Sequence, residues 1–346
     1  MLDASAYGML RPRSGVSAEP MTVSPETALL FLTLAEPGPL PAYARSAMGD
    51  AAAETVARLV LDGVLEYRHD GRWVSAGAAA ELLGTRTPQA GRGRIGELSV
   101  AAVRYGQELT DLPEDRLASR LYAYGRRPVS PELRRRMPDR AAVASNLGLA
   151  PGGAARRTLE TAWRELPPRP GTPVYWSHWR PRRPAGDHRA RAANYKLYLS
   201  PSMAALPSVL AVAADVLRST TAATAFKIGC DLPGLCRPDK IVIYFDHLDD
   251  LRAAADRLSD RLGGQAAHGV PFTAAVTDDG MVSWGADPPD GGSWRWWVAR
   301  RLAEFMTSAR DSGEPWRFAL ERLRVSGIDT DTWVPAGGMW ARAASG

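Results

Sequence analysis

The segment 194-NYKLYLSP-201, the helix-length run after it, and then 225-AFKIGCDLPGLCRPDKIVIYFD-246 decide how this 346-residue chain is read. Residues 195–200 alternate in character and stop at Pro201, the pattern of a short strand. Side chains alternate across a strand, so Lys196, Tyr198 and Ser200 share one face while Tyr195, Leu197 and Leu199 share the other. The Ala/Leu-rich run 201–219 predicts a helix. A second strand over 222–229 sets Ala225, Lys227 and Gly229 on one side. After a tight Asp-Leu-Pro-Gly turn, a third strand over 240–245 groups Lys240, Val242 and Tyr244. A face so rich in donors calls for an acceptor, and an anion is the simplest one.

The lysines sharpen that reading. The chain has 43 basic side chains, and only Lys196, Lys227 and Lys240 are lysine, all within this block. An ammonium can give up its proton in a suitable site, whereas a guanidinium effectively never does, so these three positions are candidates for acid–base work. The alternative is coincidence plus ordinary surface charge.

The strand with Lys196, the Phe226-Lys227 pair and the run RPDKIVIYF resemble the HopA-type effector-like family encoded in actinobacterial biosynthetic clusters for lanthipeptides and thioamitides, distant relatives of the phosphothreonine lyases of type III secretion. The resemblance covers about residues 190–310. It implies that Lys196 is the activating lysine, Lys227 the base that removes the α-proton, Arg237 a phosphate-binding arginine and Tyr244 the accompanying tyrosine. Tyr198 stands where the family has its acid histidine, which leaves Tyr198 and His178 as the proton donors to weigh. The implied fold is α+β: a winged-helix-like and helical N-terminal region, then a phosphothreonine-lyase-like α/β domain with a mixed sheet.

Composition fits this. At 45% hydrophobic and 23% charged the chain is an ordinary globular sequence, and a net charge of +5 with a pI near 9.4 favours an acidic partner. Cys230 and Cys236 have no zinc-ligand spacing and read as a reduced pair. No metal or cofactor is expected. The first twenty residues have no apolar signal core, and no apolar run is long enough to span a bilayer, so a cytoplasmic protein without membrane contact is expected.

In chain order, residues 1–22 read as a loose, flexible tail. Residues 23–84 suggest a winged helix: a helix over 50–62 capped by Asp50, then LEYRHDGRWVS with an Asp-Gly hairpin turn. Arg58 is the only basic residue of that helix, so peptide binding along an exposed edge, or a structural role, is favoured over nucleic-acid binding. Residues 85–93 read as a linker opening a helical region (85–166) whose Arg134 to Arg136 run is a solvated face. The catalytic domain spans 167–346. It opens with a basic-aromatic loop holding His178, Arg180, Arg182, Arg183 and His188. It continues with a helix over 248–263, strands over 270–276 and 281–284, and a helix with Ser293 as its cap. That last helix brings Arg295 and Arg300 as further phosphate ligands beside Lys240. Trp294, Trp296 and Trp297 read as core residues.

The function expected is a metal-independent lyase that removes phosphate from phosphoserine or phosphothreonine in a precursor peptide, leaving dehydroalanine or dehydrobutyrine. Its partners would be the phosphorylated precursor, a separate kinase and a cyclase. The runner-up is a non-catalytic phosphopeptide adaptor, and a third reading is a winged-helix regulator that binds DNA.

Overall fold

The computed structural model describes residues 9–12, 21–22, 65–69, 71–75, 78–79, 93–168, 175–182, 195–289, 292–311 and 314–335. The chain divides into two compact units. One comprises Met1–Gln89, Val103–Leu121 and Ala299–Asp331, the other Ala90–Ala102, Tyr122–Val298 and Thr332–Gly346.

The first unit holds a four-stranded sheet of β1 (Met9–Pro12), β2 (Met21–Thr22), β3 (Leu65–His69) and β4 (Arg72–Val74), in the order β2-β1-β3-β4. The hairpin expected from LEYRHDGRWVS is present. His69 pairs with Arg72, and Gly71 takes φ 76°, a left-handed conformation that glycine adopts without steric penalty. Two stretches of the expected loose tail, β1 and β2, are instead paired strands. The helix expected over 50–62, and with it the winged-helix assignment for 23–84, lies outside the described residues.

A run of helices follows: α1 (Gly93–Gln107), α2 (Glu114–Ala123), α3 (Pro131–Arg136), α4 (Arg140–Asn146) and α5 (Ala154–Glu160). The Ser130 side chain caps α3 and the Asp139 side chain caps α4, each accepting from a first-turn amide. Helix was expected to reach Leu166, but Trp163–Leu166 is strand β5, paired with β6 (Trp176–Pro181). Strand β6 also replaces part of the expected basic-aromatic loop. Its alternation of Trp176, His178 and Arg180 with Ser177, Trp179 and Pro181 was a strand signal obscured by the prolines in and around it.

The second unit is built on a seven-stranded sheet. Its further strands are β7 (Tyr195–Leu199), β8 (Ala223–Gly229), β9 (Ile241–Phe245), β10 (Ala274–Ala275) and β11 (Val282–Ala286), in the order β10-β11-β7-β9-β8-β6-β5. All neighbours are antiparallel, which corrects the mixed sheet expected. Strands β7 and β8 run the same way, joined through helix α6 (Leu206–Ser219), but β9 inserts between them antiparallel to both, so no parallel pair forms. The Asp-Leu-Pro-Gly turn is a single helical turn, α7 (Leu232–Leu235), capped by the Asp231 carboxylate at Gly234 N. The strand expected over 270–276 is only the two residues of β10. Before it, Phe272 takes φ 64°, and Val270 turns inward to pack on Tyr198 and Val242.

One face of this sheet carries the core. Leu197, Leu199, Ile241, Ile243, Phe245, Phe226, Ile228 and Val282 pack with α6 and α8 (Leu248–Leu262) in one apolar cluster. Trp179 stacks on Phe226 at 5.6 Å and Trp163 meets the same ring edge-on at 5.0 Å. Fully burying each such side chain stabilises the fold by about 1.5–3 kcal/mol. The opposite face is left for polar groups. The last helices are α9 (Trp294–Ser308) and α10 (Pro315–Val325). No helix among the described residues is long and apolar enough to cross a membrane.

Candidate active site

Strand register assembles the site. Lys196 lies opposite Tyr244 and Gly285, and Tyr198 opposite Val242 and Ser283. Lys227 lies opposite Val242 and His178. Directly opposed residues share a face, so Lys196, Tyr198, Lys227, Tyr244 and His178 project together, as the alternation in the sequence implied for the first four. Gly285 has to be glycine here because a Cβ would run into the Trp294 ring at the start of α9. The same constraint brings that helix start against Lys196.

Lys227 is half-buried, with its ammonium 4.2 Å from the centre of the Trp176 ring. Burial lowers its pKa, and Lys196 and Arg237 lower it further against the opposing pull of Asp239 and Asp287, to about 8. At pH 7 about one amine in ten is then neutral, against about one in 2,500 for a free lysine.

Lys196 forms an ion pair with Asp287 at 2.6 Å, both side chains only 11% exposed, and its ammonium stands 5.4 Å from the Tyr244 ring. The other oxygen of Asp287 accepts the first amide of α9, Trp294 N, at 2.9 Å. Ser293 holds the N-cap position, its carbonyl accepting from Trp297 N, while the side chain that meets the first helix amide is that of Asp287. Burial raises the Asp287 pKa despite Lys196.

Tyr198 is buried beneath Val270, and its hydroxyl has no hydrogen-bond partner among the described residues. Burial, reinforced by the nearby Asp287, pushes its pKa well up. His178, by contrast, is exposed on β6 directly opposite Lys227. Tyr244 is half-buried, and burial raises its pKa too.

The arginines form a second group. Arg237 donates from Nε and Nη2 to the two oxygens of Asp239, both at 2.9 Å, and from Nη2 to the Tyr122 hydroxyl at 2.9 Å. Tyr122 and Trp176 each place a ring 5.3 Å from its guanidinium. Arg295 is buried. It pairs with Asp239 at 3.0 Å and donates to the Pro271 carbonyl at 3.2 Å and the Tyr122 carbonyl at 3.0 Å. Burial alone would raise the Asp239 pKa, but Arg295 and Arg237 hold it well below the ordinary carboxylate range.

Lys240 is fully buried at the end of β9. Its Nζ donates to the Pro201 carbonyl at 2.9 Å and meets His268 Nδ1 at 2.9 Å, while His268 Nε2 lies 2.7 Å from the Gly125 carbonyl. That arrangement makes Nε2 the protonated nitrogen, donating to Gly125 O, and Nδ1 the acceptor from Lys240. Burial lowers the Lys240 pKa to about 7 and the His268 pKa to about 3. Arg300 is exposed on α9, five residues beyond Arg295. At 100° per residue it points about 140° around the helix from Arg295. Arg183 and His188 lie outside the described residues.

The residues missed from sequence are mostly the partners of the cations: Asp239, Asp287, Tyr122, Trp176 and His268. Asp239 stood inside the quoted RPDK run, where an acid among basic residues was a usable signal. Tyr122 belongs to a helix more than a hundred residues upstream, and nothing local pointed to it.

No protein-family model matches the chain, and no curated protein matches it. Among solved structures it is similar to an effector protein from Pseudomonas syringae pv. tomato, at 11% identity and a TM-score of 0.43 over 69% of this chain and 97% of that one. It is also similar to OspF, a type III effector/phosphothreonine lyase from Shigella flexneri (14% identity, TM-score 0.30, 36% of this chain and 69% of that one). A third similar structure is VirA (SpvC), a phosphothreonine lyase effector protein from Chromobacterium violaceum (15% identity, TM-score 0.31, 40% of this chain and 77% of that one).

Proposed function

We propose that this chain is a metal-independent lyase that eliminates phosphate from phosphoserine or phosphothreonine in a precursor peptide. The observation that carries this reading is Lys227, a half-buried amine beside Lys196 and Arg237 on the polar face of the sheet, with its pKa lowered to about 8. Its neutral amine takes the α-proton of the phosphorylated residue. The electron pair left on the α-carbon forms the Cα–Cβ double bond as the Cβ–O bond breaks, and inorganic phosphate leaves with that bond's electrons.

Lys196, steadied by Asp287, stabilises the negative charge that develops on the adjacent carbonyl. The proton for the leaving group comes from His178, which is open to solvent beside Lys227, rather than from the sealed Tyr198 hydroxyl. Arg237 and Tyr244 meet the phosphate. Arg295 and Lys240 support them from behind, because both are buried, Arg295 beside Asp239 and two backbone carbonyls and Lys240 against Pro201 and His268. A kinase would supply the phosphorylated precursor, a cyclase would consume the dehydroamino acid, and residues 23–84 would anchor the precursor by its leader.

The sealed Tyr198 hydroxyl favours a second reading, a phosphopeptide-binding module without turnover. Incubation with a phosphothreonine peptide separates the two. A lyase releases phosphate and leaves a product lighter by about 98 daltons, the mass of phosphoric acid, through β-elimination. Binding with no mass change would leave the adaptor.

A further inference from the structure

The arginine clamp already contains an anion. Asp239, only 4% exposed, takes two guanidinium nitrogens of Arg237 and pairs with Arg295, and this pairing keeps it ionised throughout the neutral range. Arg295 has its remaining nitrogens on the carbonyls of Pro271 and Tyr122. Arg237, with a side chain 16% exposed, is the member that reaches toward solvent. Two guanidiniums and one carboxylate carry one net positive charge, so an incoming phosphate is attracted by both cations and repelled by Asp239. A second carboxylate, Asp287, offsets Lys196 on the same face. Each carboxylate subtracts from the attraction the cations offer an incoming anion.

We propose that Asp239 is a built-in counter-anion that limits how tightly Arg237, backed by the charge of Arg295, retains phosphate, so that inorganic phosphate departs instead of blocking the site. The role in product release rests on the lyase reading; the effect on anion affinity does not. The carboxylate also fixes the Arg237 fork against Tyr122, so it positions the same group whose affinity it lowers. Removing its charge while keeping its shape should strengthen phosphate binding about tenfold, the effect of one partly screened charge a guanidinium's width away.

The test is calorimetric titration of the full chain and of Asp239→Asn with inorganic phosphate, followed by phosphate inhibition of peptide turnover. Tighter phosphate binding by about tenfold, with a matching fall in the inhibition constant, is the expected result. Unchanged or weaker binding by a folded variant would overturn the proposal, making Asp239 a structural brace. If Asp239→Asn does not fold, Asp239→Ser, which admits water between the guanidiniums, serves the same measurement. Failure of both to fold would also overturn the idea. Tighter phosphate binding in the variant with no elimination by either protein would uphold the counter-anion and discard the lyase. Elimination by the wild type with no gain in the variant would do the reverse.

Discussion

On one face of the seven-stranded sheet, Leu197, Ile243 and Phe226 pack into the helices behind it. On the other, displaced by a single residue along the same strands, Lys196, Tyr244 and Lys227 stand among carboxylates and aromatic rings. The two faces obey different rules. Apolar burial is non-directional, so the back face needs little beyond the right residue class and volume. A buried charge is tolerable only with partners in bonding geometry, so the most buried cations bring other residues with them: Asp287 for Lys196, Asp239 for the arginines, His268 for Lys240. Substitutions behind should therefore cost stability, and substitutions in front should cost chemistry or binding.

The largest effect in front is expected at Lys227. Lys227→Arg keeps a positive charge but cannot accept a proton, so elimination should fall by about 10²–10⁴-fold while thermal stability changes little. Near-normal turnover by this variant at pH 7–8 would remove Lys227 from the base role. In the wild type the base must be neutral and the acid protonated, so kcat/KM should follow a bell-shaped pH profile to which Lys227 contributes a pKa near 8. With only three lysines in the chain, NMR titration of the ε-carbons, each assigned by a Lys→Arg variant, reads that midpoint without any turnover.

Behind the sheet the corresponding probe is Phe226→Ala. Its ring is held between Trp163 and Trp179, and truncating it should cost about 3–5 kcal/mol in denaturant unfolding. The protein that remains folded should keep its affinity for the phosphopeptide. A large loss of affinity with intact stability would mean that the two faces are not separable.

The same asymmetry explains what the sequence made legible. Alternation in KLYLS, FKIG and KIVIYF assigned both faces residue by residue, because period two is a local property of a strand. Strand β6 escaped because the prolines in and around it outweighed the Trp-Ser-His-Trp alternation, and the order β7-β9-β8 escaped because nothing local says which strand will enter a gap. Partners were the least legible of all. Arg295 reads as a phosphate ligand at a helix start until Asp239, fifty-six residues upstream, takes one end of its fork. Lys240 reads as a front-face cation until Pro201 and His268 enclose it.

A smaller effect is expected at Arg237. Arg237→Ala should weaken the phosphorylated peptide by about 1.5–3 kcal/mol and leave the unphosphorylated peptide nearly unaffected, as judged by parallel titrations. Equal losses for both would place Arg237 outside the phosphate contact. Arg295→Ala should differ in kind. Removing a buried guanidinium takes one of Asp239's two cations and a donor from each of two carbonyls, so its first symptom should be lost stability of about 3–5 kcal/mol.

Arg300 supplies the smallest effect and the control for the others. It lies on the same helix as Arg295 and carries the same charge, but five residues turn it about 140° away, and it is exposed where Arg295 is buried. If the front face acts through bonded geometry and not through general positive charge, Arg300→Ala should change stability by no more than about 0.5 kcal/mol. Its phosphopeptide affinity should match the wild type at physiological salt, where exposed charges are largely screened by mobile ions. Repeating the titration at low salt is the stricter form of the test. A modest drop in affinity there, alike for phosphorylated and unphosphorylated peptides, is the signature of long-range charge alone. A drop specific to the phosphorylated peptide and persisting at high salt would make Arg300 a direct phosphate ligand and would show that bonded geometry at Lys227 and Arg237 is not the whole of the recognition.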